Sequence, residues 1–129
     1  MALSREKIII VASTSNSAAG TTRGRVDLTS LSGDVYGGIV TLKITNGATA
    51  PALQCEGRVL ISHEVVLPAA ASAGADWKTV WRFGGGTTSN GVTEQAWTFG
   101  PEVRHIEIEF TGNTTQAVTV EAIATAFMM

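Results

Sequence analysis

Cysteine is all but missing from these 129 residues: there is one, Cys55. A single chain therefore has no internal disulfide, and the sequence is not a stapled secreted scaffold. Charge is thin as well. Asp, Glu, Lys and Arg make up 16% of the residues, where soluble domains carry about 25%. Nine Lys and Arg against eleven Asp and Glu leave a net charge of −2. That balance argues against a nucleic-acid binder held by a basic surface. Long hydrophobic runs are also absent. The longest apolar stretch, Val65–Ala71, contains Pro68 and falls far short of the roughly 20 residues that cross a bilayer. Ile8–Ala12 is shorter than the core of a secretory signal, and Glu6 interrupts the basic residues Arg5 and Lys7 before it. It reads as a strand, and the expectation is a soluble chain made in a cytoplasm, with no membrane contact.

Hydrophobic residues make up 44%, enough for a core, and they are arranged with period two. In Val35–Asn46, Val40, Leu42 and Ile44 alternate with Thr41, Lys43 and Thr45, the pattern of a half-buried strand. Leu53–Val66 repeats it, with Cys55, Val59 and Ile61 on one parity and Leu60 as an exception. Asp76–Phe83 places Trp77, Trp81 and Phe83 together, and Val103–Thr111 sets Ile106, Ile108 and Phe110 against His105, Glu107 and Glu109. With Lys7–Ser13, Arg25–Leu31, Gly91–Phe99 and Thr115–Phe127 this makes about eight strands, separated by Asn46-Gly47, Gly100-Pro101 and Gly112-Asn113. No segment has helical period. The fold class is all-β, an antiparallel β-sandwich or jelly roll.

The expected core is Ile9, Val40, Leu42, Ile44, Val59, Ile61, Trp81, Trp97, Ile106, Ile108, Phe110, Val118 and Val120. The chain reads as one domain, with residues 1–24 as an N-terminal strand and flexible arm and 25–129 as the sandwich. Pro68–Gly74 and Gly84–Gly91 read as further mobile pieces.

Chemistry is hard to find. His105, Glu107 and Glu109 share one strand face, but same-face neighbours stand about 7 Å apart, too far for all three to hold one ion. They read as a solvated or interface-facing stripe. The deaminase signature lacks its Pro-Cys-x-x-Cys half, no Gly-x-Ser-x-Gly elbow occurs, and Gly84–Gly86 precedes neither Lys-Ser nor a helix. Asn113-Thr114-Thr115 fits a glycosylation site but reads as a turn. We therefore expect no enzymatic activity, no metal and no cofactor. Cys55 reads as a small buried hydrophobe. The three tryptophans read mainly as core, with partner contact and glycan stacking as the other readings.

Residues 1–25 carry Arg5, Lys7, Arg23 and Arg25 against Glu6 alone. These four, with His105, Glu107 and Glu109, are the candidate partner contacts. Low charge and open strand edges favour association, so a homo-oligomer, dimer or trimer, is expected.

The stretches Gly37–Ser62, Asp76–Phe83 and Val103–Ala122 (GGIVTLKITNGATAPALQCEGRVLIS, DWKTVWRF and VRHIEIEFTGNTTQAVTVEA) resemble small virion proteins of tailed bacteriophages. In particular they resemble the β-sandwich head proteins called cement or decoration proteins. The resemblance implies a structural role on the virion: binding the major capsid protein or another virion protein and clamping the assembled head. A tail or baseplate protein, or a carbohydrate-binding sandwich module, are the alternatives.

Overall fold

The computed structural model describes residues 2–129. Eight strands form: β1 (Ser4–Asn16), β2 (Thr21–Asp27), β3 (Val35–Asn46), β4 (Glu56–Ser62), β5 (Lys78–Gly84), β6 (Val92–Phe99), β7 (His105–Thr111) and β8 (Val118–Met128). The helical content is a three-residue 3-10 turn, Leu28–Ser30, capped by the Asp27 carboxylate, which accepts the Thr29 N–H at 2.9 Å. The strands make two antiparallel four-stranded sheets, in the orders β1-β8-β3-β6 and β2-β7-β4-β5. Only β4 and β5 are consecutive and paired; every other connection crosses between sheets. That winding is the eight-stranded jelly roll.

The core lies where the two sheets face each other. Val40, Leu42, Ile44, Val118, Val120, Ala122 and Ala124 come from the first sheet, and Val59, Ile106, Ile108 and Phe110 from the second. All alternate with outward residues, as the pleat requires. Ile61, Trp81 and Trp97 of the expected core are half-buried at its margin. Ile9 is not core: it is 59% exposed. The run Ile8-Ile9-Ile10 does not announce its own parity. The pairing Ile9↔Ile123 turns Ile9 outward, while Ile8 and Ile10 pack on the core.

Residues 1–24 do not form an arm where they are described. β1 pairs along β8 from Ser4↔Met128 to Asn16↔Val118, and β2 pairs with β7 from Thr21↔Thr111. Only a tight turn separates β1 from β2, and Asn16 and Asn113 lock it. Asn16 Nδ2 donates to Asn113 Oδ1 at 2.6 Å, and Asn113 Nδ2 donates to the carbonyls of Asn16, Ser17 and Gln116. Asn113 is buried with its amide fully engaged, so it is a turn residue and not a glycan acceptor. Gly24 lets β2 cross close over β1: a Cβ there would stand 2.1 Å from the Ile10 carbonyl oxygen. Gly84–Gly91 is likewise fastened, because Asn46 Nδ2 donates to the carbonyls of Gly86 at 3.2 Å and Thr88 at 3.0 Å.

Candidate functional site

β7 buries both of its faces. Ile106, Ile108 and Phe110 point into the sandwich, as expected, but His105, Glu107 and Glu109 on the opposite face are buried too. The reading of these three as a solvated or interface-facing stripe is therefore corrected. The long β4–β5 connection folds back over the outer face of the second sheet and covers them.

The covering loop is tied down at several points. His105 Nε2 lies 2.8 Å from the Glu64 carbonyl oxygen. The Ala71 N–H donates to Glu107 Oε1 at 2.8 Å, and Ser72 Oγ donates to Glu109 Oε2 at 3.2 Å. Arg25 donates to the Pro68 carbonyl, and Trp77 Nε1 to that of Ala69 at 2.8 Å. Pro68–Gly74, read as mobile, is thus held by side chains from β2, β7 and the approach to β5.

The charges beneath match across strands. In the β2–β7 register Arg23 stands opposite Glu109, Arg25 opposite Glu107 and Asp27 opposite His105. Arg23 Nε reaches Glu109 Oε2 at 3.0 Å, and Arg58 from β4 reaches Glu109 Oε1 at 3.2 Å and Glu56 at 2.7 Å. Glu109 thus has a cation on each oxygen. His105 Nδ1 is 3.1 Å from Asp27 Oδ1, close enough for an ion pair but off the line of a hydrogen bond. Glu107 is the poorly served member. Its Oε2 has no partner, and burial pushes its carboxyl up to about 7, against the smaller opposing pull of the Ala71 N–H and Arg23. Burial likewise pushes the Cys55 thiol up to about 12, the state of an inert buried thiol.

Leu60 and Trp77 complete the loop's underside. Both are fully buried yet lie outside the main core cluster. A bulge in β5 explains Trp77. Val59 pairs with Trp81 but Leu60 pairs with Thr79, so Val80 is unpaired and the strand changes face there. Trp77 thereby goes under the loop, while Trp81 packs toward the core beside Phe83, their rings 5.3 Å apart. The shared parity of Trp77 and Trp81 in the sequence does not survive the bulge.

The braced loop begins with two apolar side chains in water: Val65 is 74% exposed and Val66 77%. Sequence reading passed over them because they continue an apolar strand pattern. Five of the seven candidate contacts, Arg23, Arg25, His105, Glu107 and Glu109, come together beneath or beside this loop. Arg5 and Lys7 do not. They are exposed on β1, on the outer face of the other sheet, where the Arg5 guanidinium lies 5.7 Å from the Phe127 ring centroid.

Among the described residues no group of three His, Cys, Asp or Glu is placed to hold a metal ion. No helix there is long and apolar enough to cross a membrane.

No protein-family model matches the chain, and no curated protein matches it in sequence. Its likeness to solved structures is one of fold. A cleaved adhesin domain of Lys-gingipain from Porphyromonas gingivalis aligns over 88% of this chain and 72% of its own, at 10% identity and a TM-score of 0.60. The subviral particle of infectious bursal disease virus aligns over 98% of this chain at 10% identity and TM-score 0.51. A viral particle of the same virus aligns over 98%, at 10% identity and TM-score 0.50. This chain spans about a third of the length of those two viral chains. The class defined by fold is the eight-stranded jelly-roll sandwich.

Proposed function

We propose that this chain is a non-enzymatic virion structural protein that decorates and stabilises an assembled phage head. Its partner is the major capsid protein or another virion protein, and it works as a homo-oligomer. The observation that carries the reading is the exposed Val65–Val66 pair on a loop already fastened to the sheet by Glu107, Glu109, His105 and Arg25. Apolar side chains held rigidly in water can dock without the entropic cost of ordering a loop. The jelly-roll winding shared with viral-particle chains supports the same reading. A protein that binds only the assembled shell stabilises it by mass action at every site it fills.

Mass-spectrometric copy number from purified virions, with cryo-microscopy of the particle, tests this. Hundreds of copies on the head, contacting it through Val65 and Val66, are expected, and Val65→Asp with Val66→Asp should strip them off. A handful of copies would move the protein to the tail. Complete absence from virions would end the proposal. The carbohydrate-binding alternative calls for an exposed indole face, and Trp77 is buried while Trp81 and Trp97 pack against the core.

A further inference from the structure

Glu107 is the one acid of the covered face that no cation serves. Glu109, two residues along β7, has a guanidinium on each carboxylate oxygen. Glu107 is as deeply buried, yet among the described residues it makes no ion pair. Its Oε1 accepts the Ala71 N–H at 2.8 Å, and its Oε2 has no partner. The residue opposite it on β2 is Arg25, and cross-strand partners on one face stand about 5 Å apart at Cβ. Arg25 nonetheless gives its guanidinium to the Pro68 carbonyl of the covering loop.

The other charges around Glu107 are engaged elsewhere. On β2, Arg23 is held by Glu109, and Asp27 stands 3.1 Å from the His105 ring of β7. On β4, Leu60 is the residue opposite Glu107, and Arg58 is shared by Glu56 and Glu109. The loop brings a backbone N–H to Glu107. Its acids Glu64 and Asp76 line a separate pocket with Val65 and Val66, and His63 is exposed. At its far end the Lys78 ammonium donates to the Gly74 carbonyl at 2.6 Å. An unserved oxygen therefore suits Glu107 as a carboxylic acid and not as a carboxylate. A buried charge with one hydrogen bond is strongly disfavoured, and only a cation or water relieves it. Both remedies act on the loop. Arg25 supplies the cation by leaving Pro68, and water enters when the loop lifts.

We propose that the β4–β5 loop is a proton-gated latch, with Arg25 as its moving catch. When Glu107 is protonated, Arg25 fastens Pro68, the Ala71 N–H fastens Glu107, and the loop lies closed with Leu60 and Trp77 beneath it. When Glu107 ionises, Arg25 exchanges the Pro68 carbonyl for the carboxylate opposite, and the loop loosens from the sheet. The charge change is local, and the element with two states is the loop. Burial supports the same direction: it holds the carboxyl at about 7 under the loop, against 4.5 in water. The bound proton therefore favours the closed loop, and that preference fades as pH rises from 4.5 to 7. On the virion reading above, Val65 and Val66 are thereby held for docking in acid and loosened above neutral pH.

Hydrogen exchange by NMR on the full chain tests it, corrected for the intrinsic pH dependence of exchange, with the Glu107 carboxyl carbon titrated in the same sample. The wild-type carboxyl should titrate near 7. Protection of the Ala71 amide and the Trp77 indole N–H should fall roughly fifty-fold from pH 5 to pH 8. That loss should be indifferent to dilute urea, which marks a local opening and not global unfolding. Glu107→Gln should hold protection within about threefold across the range. Arg25→Gln should loosen the loop at pH 5 as well, since the Pro68 bond goes with it. The latch is overturned by a carboxyl that titrates near 4.5, by loop exchange that follows urea as the core does, by a Glu107→Gln loop as pH-sensitive as the wild type, or by an Arg25→Gln loop fully protected at pH 5. The carboxyl and urea measurements decide on the wild type alone if either variant does not fold. Attachment to phage heads at pH 5 and pH 8 is read separately. No attachment at either pH, with the loop transition present, ends the virion reading and leaves the latch. Attachment through Val65 and Val66 without the transition does the reverse.

Discussion

The backbone N–H of Ala71 and the carboxylate of Glu107, brought to 2.8 Å across a loop-to-strand contact, put a titrating group under the braced loop. Burial raises the folded Glu107 carboxyl from 4.5 to about 7. Between those values the folded chain holds a proton that the unfolded chain gives up. The contribution to stability is therefore complete below about pH 4.5 and is lost as pH rises through 7. The shift corresponds to a difference on the order of 3 kcal/mol. Glu107→Gln keeps an acceptor for the Ala71 N–H and carries no charge. Denaturant unfolding from pH 5 to pH 8 should show falling stability in the wild type and a flatter profile in the variant. Equal slopes would remove Glu107 as the cause.

Trp77 is the apolar anchor of the loop. Trp77→Ala should cost about 3–5 kcal/mol, as large-to-small changes at buried sites do, and should expose the Ala69–Gly74 backbone to protease. Trp77→Phe keeps most of the packing and loses only the indole bond to Ala69, so its cost should be nearer 1 kcal/mol. Limited proteolysis separates the two: rapid nicking in this loop is expected for the alanine variant alone. Resistance of both would mean that the charged contacts hold the loop unaided.

Gly24 should not accept a side chain. An added Cβ would meet the Ile10 carbonyl at 2.1 Å, and both partners are backbone in paired strands. Gly24→Ala should destabilise by roughly 1–3 kcal/mol, the usual cost of overpacking, and should lower the melting temperature. An unchanged melting temperature would show that β1 and β2 can move apart freely.

Removing residues 2–24 should unfold the protein rather than trim an arm. The deletion takes the whole of β1 and half of β2, the edge strands of the two sheets. It also takes Asn16 from the Asn113 lock and Arg23 from Glu109. Loss of the β-sheet circular dichroism signal, or purely insoluble expression, is the expected result. A soluble, cooperatively folding fragment would contradict it.

The strands were legible because period two is a local property, visible in Val40-Thr41-Leu42-Lys43-Ile44 without knowledge of the neighbours. The covered stripe was not, because burial of His105, Glu107 and Glu109 depends on where the segment after Ser62 travels. A clue was nonetheless present. Arg23-x-Arg25-x-Asp27 and His105-x-Glu107-x-Glu109 are complementary when read antiparallel, as their register confirms. Leu60, apolar where its parity calls for a polar residue, marked a second buried face. The bulge at Val80 left no comparable trace, which is why Trp77 and Trp81 were assigned together. Ile9 was misplaced for the opposite reason: three successive isoleucines supply no polar residue to fix the phase.

The pairing of Ser4 with Met128 sets the mechanical character of the molecule. Tension applied between the two ends would load the β1–β8 hydrogen bonds one pair at a time, as a zipper opens, instead of shearing the ladder all at once. Such a fold yields at low force when pulled by its ends. Load passing through the sheet faces meets the packed core instead. The chain is then strong only where it is gripped by its faces and loops, and single-molecule pulling from the ends should record low-force peeling that begins at β1.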